Sequence, residues 1–166
     1  ESARRVLEAN GVTGVRIERI SGNLTDHFDP KTNTIRLSES VYDATTVSAV
    51  GVAAHEAGHA VQYAVGYAPM QLRAAIIPAT NIGSQLAMPL VLLGLIFSSA
   101  MLVDIGIIAF SMSTLFQLVT LPVEFNASRR AVATLESSCV SDTEVKGAKA
   151  VLRAAALTYV AALAVS

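Results

Sequence analysis

Charge is scarce in this chain. Asp, Glu, Lys and Arg make up 15% of its 166 residues, against roughly 25% in soluble domains, and the deficit points to lipid. Neither sign dominates: 12 basic and 13 acidic residues leave a net charge of −1, which gives no electrostatic reason to expect nucleic acid. Tryptophan is absent, and Cys139 is the sole cysteine. An intrachain disulfide is thereby excluded, in keeping with a reducing compartment. Histidine is limited to His27, His55 and His59, so any imidazole chemistry draws on these three. Over residues 74–103 there is no charge at all, and after Asp104 the chain is again uncharged over 105–123.

A bilayer takes about 20 apolar residues per helix, so the uncharged block supplies two spans, expected at 76–97 and 105–123. A short connector, 98–104, makes them an antiparallel hairpin. The alternative is two core helices of a soluble protein, but a chain of this length has little room to bury two apolar helices all round. Pro78 and Pro89 should kink or loosen the first span. Asn81, Ser84 and Gln85 read as partners in interhelical hydrogen bonds. All twelve Lys and Arg lie outside the hairpin, with Arg73, Arg129 and Arg130 at its ends, and the connector carries only Asp104. The positive-inside rule then places the connector outside and the side with Arg73, Arg129 and Arg130, which carries the candidate site, in the cytoplasm. The opening Glu1-Ser2-Ala3-Arg4-Arg5 reads as amphipathic helix rather than apolar leader, and the chain stops within an apolar stretch, 154–166. A fragment of a longer protein is expected.

What precedes the hairpin is short and mixed. Residues 2–10 suit a helix with Val6 and Leu7 on its apolar side and Gly11 as its stop. Residues 15–20 and 34–38 alternate apolar with polar in the manner of half-buried strands. Turn chemistry at Ser21-Gly22-Asn23 and Asp29-Pro30-Lys31 separates them, so a small β-meander is expected. A helix follows, starting near Thr45 or Thr46.

That helix holds the chemistry. His55-Glu56-Ala57-Gly58-His59 is an H-E-x-x-H pattern, with its two histidines one helical turn apart on one face, able to close on a single ion. Glu56 stands where a carboxylate can reach the water of such a site. A catalytic zinc takes three protein ligands and keeps one open position. For the third, the chain offers His27 and the acids Glu124, Glu136, Asp142 and Glu144. Glu124 stands out because it directly follows Leu121-Pro122-Val123, where the hairpin returns to the face it left. It is also open to a plainer role, as an ion-pair partner of Arg129 or a helix N-terminal charge.

Three runs, GVAAHEAGHAVQ, LPVEFNASRRA and VLRAAALTYVAAL, together with LTDHFDPKTNTIRLS, resemble the YugP-type neutral zinc membrane metallopeptidases across nearly the whole chain. The resemblance implies a gluzincin-like site with one zinc ion: His55, His59 and Glu124 as ligands, and Glu56 as general base. It also implies a bacterial plasma-membrane protein. Two positions depart from the pattern. Ser128 stands where many gluzincins place an Asp that orients a ligand histidine, and Asn126 stands where the family has Asp. Both changes fall among the groups that tune metal affinity.

The fold expected is mainly α: an integral membrane helical hairpin with a zincin-like HExxH helix and a small N-terminal β-meander, forming one metallopeptidase domain over 1–166. The expected activity is hydrolysis of protein or peptide substrates beside the bilayer. His27, Tyr63, Arg129 and Tyr159 are candidate donors to the tetrahedral oxyanion. Thr34, Ile35, Arg36 and Leu37 are a candidate substrate-binding edge strand. A scaffold or chaperone-like adaptor that kept the metal fold but not turnover is the rival reading; the complete set of His55, Glu56, His59 and Glu124 argues against it.

Overall fold

The structure, a computed structural model, describes residues 1–137 and 141–164; Cys139 lies outside the described residues. The chain divides into two compact units. One comprises Glu1–Tyr67 and Val123–Thr158; the other comprises Ala68–Pro122 and the described residues from Tyr159 onward.

The first unit opens with α1 (Ser2–Ala9), which buries Ala3, Val6 and Leu7. Gly11 follows it at φ +66°, a conformation that halts a helix at little cost only for glycine. Three strands come next: β1 (Arg16–Ile20), β2 (His27–Asp29) and β3 (Thr34–Ser38). After a single turn, α2 (Glu39–Tyr42), the long α3 (Val47–Ala64) begins at Thr46, whose hydroxyl accepts from the Ala49 N–H. That cap satisfies one of the otherwise orphaned amides of the first turn. The core gathers Val6, Leu7, Ile35, Leu37, Ala54, Ala57 and Val61 with Ala131, Leu135 and Leu152 from two later helices.

The sheet is not a meander. Its order is β1-β3-β2, with β1 parallel to β3 and β2 antiparallel to it. Local alternation reports that a segment is a strand but carries no record of its partner. Here the most buried segment takes the centre: Thr34, Ile35, Leu37 and Ser38 are buried, whereas β1 and β2 have no buried residue. The expectation of an open edge at Thr34, Ile35, Arg36 and Leu37 therefore fails. β1 pairs along the whole of β3, β2 pairs with Thr34, Ile35 and Arg36 from the other side, and Asp26 accepts from the Ser38 N–H. Arg36 turns its guanidinium to Asp29 at 2.8 Å and to Glu18 at 3.6 Å.

The second unit is built on two helices long and apolar enough to cross a membrane: α4 (Ala68–Ile96) and the first part of α5 (Ala100–Ser137). Their outer faces expose large apolar side chains such as Leu95, Ile96, Met101 and Ile108, a surface that suits lipid. Gly106 lets the two backbones close up: a Cβ there would lie 2.9 Å from the Ala87 carbonyl oxygen. Small residues at such a crossing are the usual means of packing helices in lipid.

Two boundaries differ from expectation. The connector is only residues 97–99, so Asp104 is helical; nothing between Ala100 and Asp104 breaks a helix. Glu124 does not head a new helix either, because α5 runs through Pro122 without interruption. Proline removes one backbone hydrogen bond. Against that loss, Val123, Ala127, Ala131 and Leu135, spaced four apart and at most 1% exposed, bury one continuous stripe. The last helix, α6 (Asp142–Ala164), starts at Ser141, where the Glu144 carboxylate accepts from the Ser141 N–H and hydroxyl.

Candidate metal centre

Helices α3 and α5 lie antiparallel and unusually close. A Cβ on Gly58 would fall 2.5 Å from the Ala127 carbonyl oxygen and 3.0 Å from its carbonyl carbon, so only glycine fits. The second x of H-E-x-x-H, which the pattern leaves free, is here the point at which the two backbones meet. On either side of the crossing, Glu124 and Ser128 of α5 face His59 and His55 of α3.

The result is a tight cluster. The Glu124 Oε2 lies 3.0 Å from the His55 Nε2 and 3.5 Å from the His59 Nε2. The two imidazoles meet edge to face with centroids 4.7 Å apart. One ligand atom from each of the three residues falls within 4.8 Å of the others. Zinc bound at about 2.0–2.2 Å in a tetrahedron separates its ligand atoms by about 3.3 Å, and the two carboxylate–imidazole distances bracket that value. Two imidazoles and one carboxylate are also a donor set that zinc favours, so the residues present fit the ion.

Their electrostatics follow from burial against pairing. Burial alone would raise the Glu124 carboxyl. The hydrogen bonds from His55 and His59, with their charge, outweigh it and hold the group well below the usual carboxylate range. Burial works against the His59 imidazolium, yet the neighbouring Glu124, aided by the charge of Glu56 and by Gln62, leaves its pKa raised. Glu124 is thus an anion at neutral pH, suited to a cation between the rings.

Behind the cluster, each histidine has a partner on its far nitrogen. The His55 Nδ1 lies 3.0 Å from the Ser128 Oγ. The His59 Nδ1 lies 2.9 Å from the Gln62 Oε1, and the Gln62 Nε2 donates to the Val123 carbonyl at 2.8 Å and to the Asn126 Oδ1 at 3.0 Å. A backbone carbonyl only accepts, so the Gln62 amide has one orientation. Its Oε1 must accept from the His59 Nδ1–H, which leaves Nε2, the nitrogen on the Glu124 side, as the one that could ligate an ion. Asn126 also accepts from the Arg130 guanidinium at 2.8 Å. The two positions that depart from the family pattern are therefore both engaged: Ser128 with His55, and Asn126 with the glutamine that orients His59.

Gln62 is the residue that sequence reading missed. It is 0% exposed, and its only signal was a polar side chain three residues after His59, on the same helical face. The other acids have separate partners: Glu136 pairs with Lys149 and Glu144 caps α6. Glu56 is buried and makes no hydrogen bond among the described residues. Of the oxyanion candidates, His27 donates its Nδ1–H to the Thr25 carbonyl, and Tyr63 packs against Phe28 at 5.8 Å. Arg129 is exposed and lines a cavity between α5 and α6, and Tyr159 belongs to the second unit.

A family model described as "Putative neutral zinc metallopeptidase" matches residues 1–166. The chain is 48% identical over 167 aligned residues to the Bacillus subtilis (strain 168) protein named "Putative membrane protease YugP", an alignment that takes in 100% of this chain and 74% of that protein. No solved structure matches the chain.

Two substitutions test this geometry. Gly58→Ala should force α3 and α5 apart at a cost of about 1–3 kcal/mol, the usual range for overpacking, and should weaken zinc binding measured by chelator competition. An unchanged melting temperature and zinc affinity would show that the helices do not touch there. Gln62→Leu keeps the volume but leaves the buried His59 Nδ1–H without its acceptor. Zinc affinity should fall about 10–100-fold with the circular dichroism spectrum intact.

Proposed function

The chain belongs to this neutral zinc metallopeptidase family, and we propose that it acts as a membrane-bound, zinc-dependent endopeptidase. The observation that carries this reading is the convergence of His55, His59 and Glu124 from two helices on one point, with Glu56 on the adjoining turn. In this reading the three hold a single zinc ion and Glu56 is the general base. Residues 1–166 then form one membrane-embedded peptidase domain, whose hairpin, 76–97 and 105–123, spans the bilayer as a multi-pass element.

The chemistry asked of the residues is hydrolysis of a peptide bond. Bound zinc supplies Lewis acidity and lowers the pKa of a water molecule. Glu56 accepts a proton from the attacking water as its oxygen adds to the scissile carbonyl carbon. It then delivers that proton to the leaving nitrogen as the C–N bond breaks. One water is consumed, and a carboxylate and an amine are released. His59 and His55 are held in place by Gln62 and Ser128, so the donors need little reorganisation when the ion arrives. The gluzincin class of the site rests on a glutamate, Glu124, as the third donor.

The charge pattern supports an orientation. Twelve cationic residues flank the apolar block and none lies within it, so the catalytic side is assigned to the cytoplasm and residues 97–99 to the opposite face.

Replacing the base and the third donor separates their roles. Glu56→Gln should retain one zinc per chain by elemental analysis and lower peptide hydrolysis about 10²–10⁴-fold. Glu124→Ala should lose zinc and activity together, whereas Glu136→Ala and Glu144→Ala should retain both. Zinc bound by the unaltered protein without hydrolysis of any peptide would favour the adaptor reading. For orientation, Ser99→Cys in a Cys139→Ser background should react with an impermeant thiol reagent in intact cells. Labelling of Thr32→Cys in its place would reverse the assignment.

A further inference from the structure

Residues 125, 128, 129, 132, 133 and 136 of α5 recur at helical spacing and form one face; 149, 152, 153 and 156 of α6 form another. Between them lies a cavity of about 390 Å³, within the range of ligand-binding pockets, roughly 300–1,000 Å³. Its floor is apolar: Val132, Leu152, which is 4% exposed, and the large ring of Phe125, which is 45% exposed. Its charge is one-sided. Lys149 is neutralised by Glu136, but Arg129 and Arg153, both exposed, make no ion pair or hydrogen bond among the described residues. Two uncompensated guanidinium groups over an apolar floor form a receptor for an anion with an apolar stem, and the planar fork of arginine matches a carboxylate. The cavity also shares a wall with the metal centre. Ser128 lines it and sits 3.0 Å from the His55 Nδ1, and Phe125 is the residue after Glu124.

We infer that this cavity is the subsite for a carboxylate-bearing residue of the substrate, so that the protein prefers peptides with an acidic side chain, or a free C-terminal carboxylate, close to the scissile bond. The inference rests on the peptidase reading above. The carboxylate pairs with Arg129 and Arg153 while the residue's methylenes lie on Phe125, Val132 and Leu152. A lipid phosphate carries the same charge; the peptide is preferred because Ser128, which lines the cavity, also contacts a candidate ligand histidine.

The test uses the full chain in detergent and fluorogenic peptides that differ only by Glu or Gln beside the cleavage point, each with a C-terminal acid or amide. These are compared for the unaltered protein and for Arg129→Gln, Arg153→Gln and the double variant. The acidic peptides should have the higher kcat/KM. The double variant should lose that preference by about 10–100-fold, the range for one hydrogen bond to a charged group, and the loss should fall on the acidic peptide more than on the neutral one. The acid–amide and Glu–Gln pairs separately identify which carboxylate is read. Equal rates on acidic and neutral peptides in the unaltered protein would overturn the inference. So would a loss in the variants that falls equally on both peptides, which would make Arg129 a general contributor to turnover. Retained peptide preference with lost binding to phosphatidylglycerol vesicles would assign the cavity to lipid instead. If zinc binds but no peptide is cleaved, the peptidase reading has failed, and the pocket is then read from equilibrium binding of the same peptides to Glu56→Gln. Binding that depends on the carboxylate and is lost in the double variant sustains the subsite; binding that ignores the carboxylate overturns it.

Discussion

The cluster of His55, His59 and Glu124 depends on the distance between two helix backbones. At Gly58 the axis of α3 comes so near Ala127 of α5 that no side chain fits between them. From that contact everything else in the site is one turn away. Glu124 reaches both imidazoles, Ser128 reaches the far side of His55, and Gln62 reaches across to Val123 and Asn126. A slip of α5 by one residue would turn Glu124 about 100° from the cluster and leave the Gln62 amide buried without acceptors. The hydrogen bonds thus fix the register that the glycine permits. Buried polar networks confer this kind of specificity when every member is satisfied and become costly when one is not.

Much of this was legible in the sequence, and the divisions are physical. The H-E-x-x-H helix, its start at Thr46, the strands near 16–20 and 34–38, and the two apolar helices follow from periodicity and local chemistry. Glu124 was legible as a candidate because one short apolar block separates it from the histidines. Partnership was not legible. Nothing in residues 16–20 says that they run parallel to 34–38, and the buried centre of the sheet was mistaken for its edge. Pro122 looked like a boundary; the stripe of Val123, Ala127, Ala131 and Leu135 overrode it. Gln62 and Gly58 were hidden for opposite reasons. A lone glutamine in an apolar helix resembles a surface residue, and a glycine at a free position of the H-E-x-x-H pattern resembles an unconstrained one.

The departures at Asn126 and Ser128 illustrate how a site tolerates exchange. An aspartate at either position would bring another negative charge close to Glu124. The amide and the hydroxyl fill the same hydrogen-bonding positions without it, and Asn126 accepts from both Gln62 and Arg130. Within the described cluster, Glu124 then remains the carboxylate in contact with both histidines.

The sequence distance between the donors has a consequence for biosynthesis. His55 and Glu124 are 69 residues apart, and the intervening chain is mostly the apolar helical pair. At about 5–20 residues per second, the ribosome delivers the carboxylate roughly 3–14 s after the first imidazole. Throughout that interval the histidine pair can offer an ion only two nitrogens. If the three residues hold zinc as proposed, tight capture would wait until the apolar helices have been made and α5 has docked, and metal loading would report completed assembly.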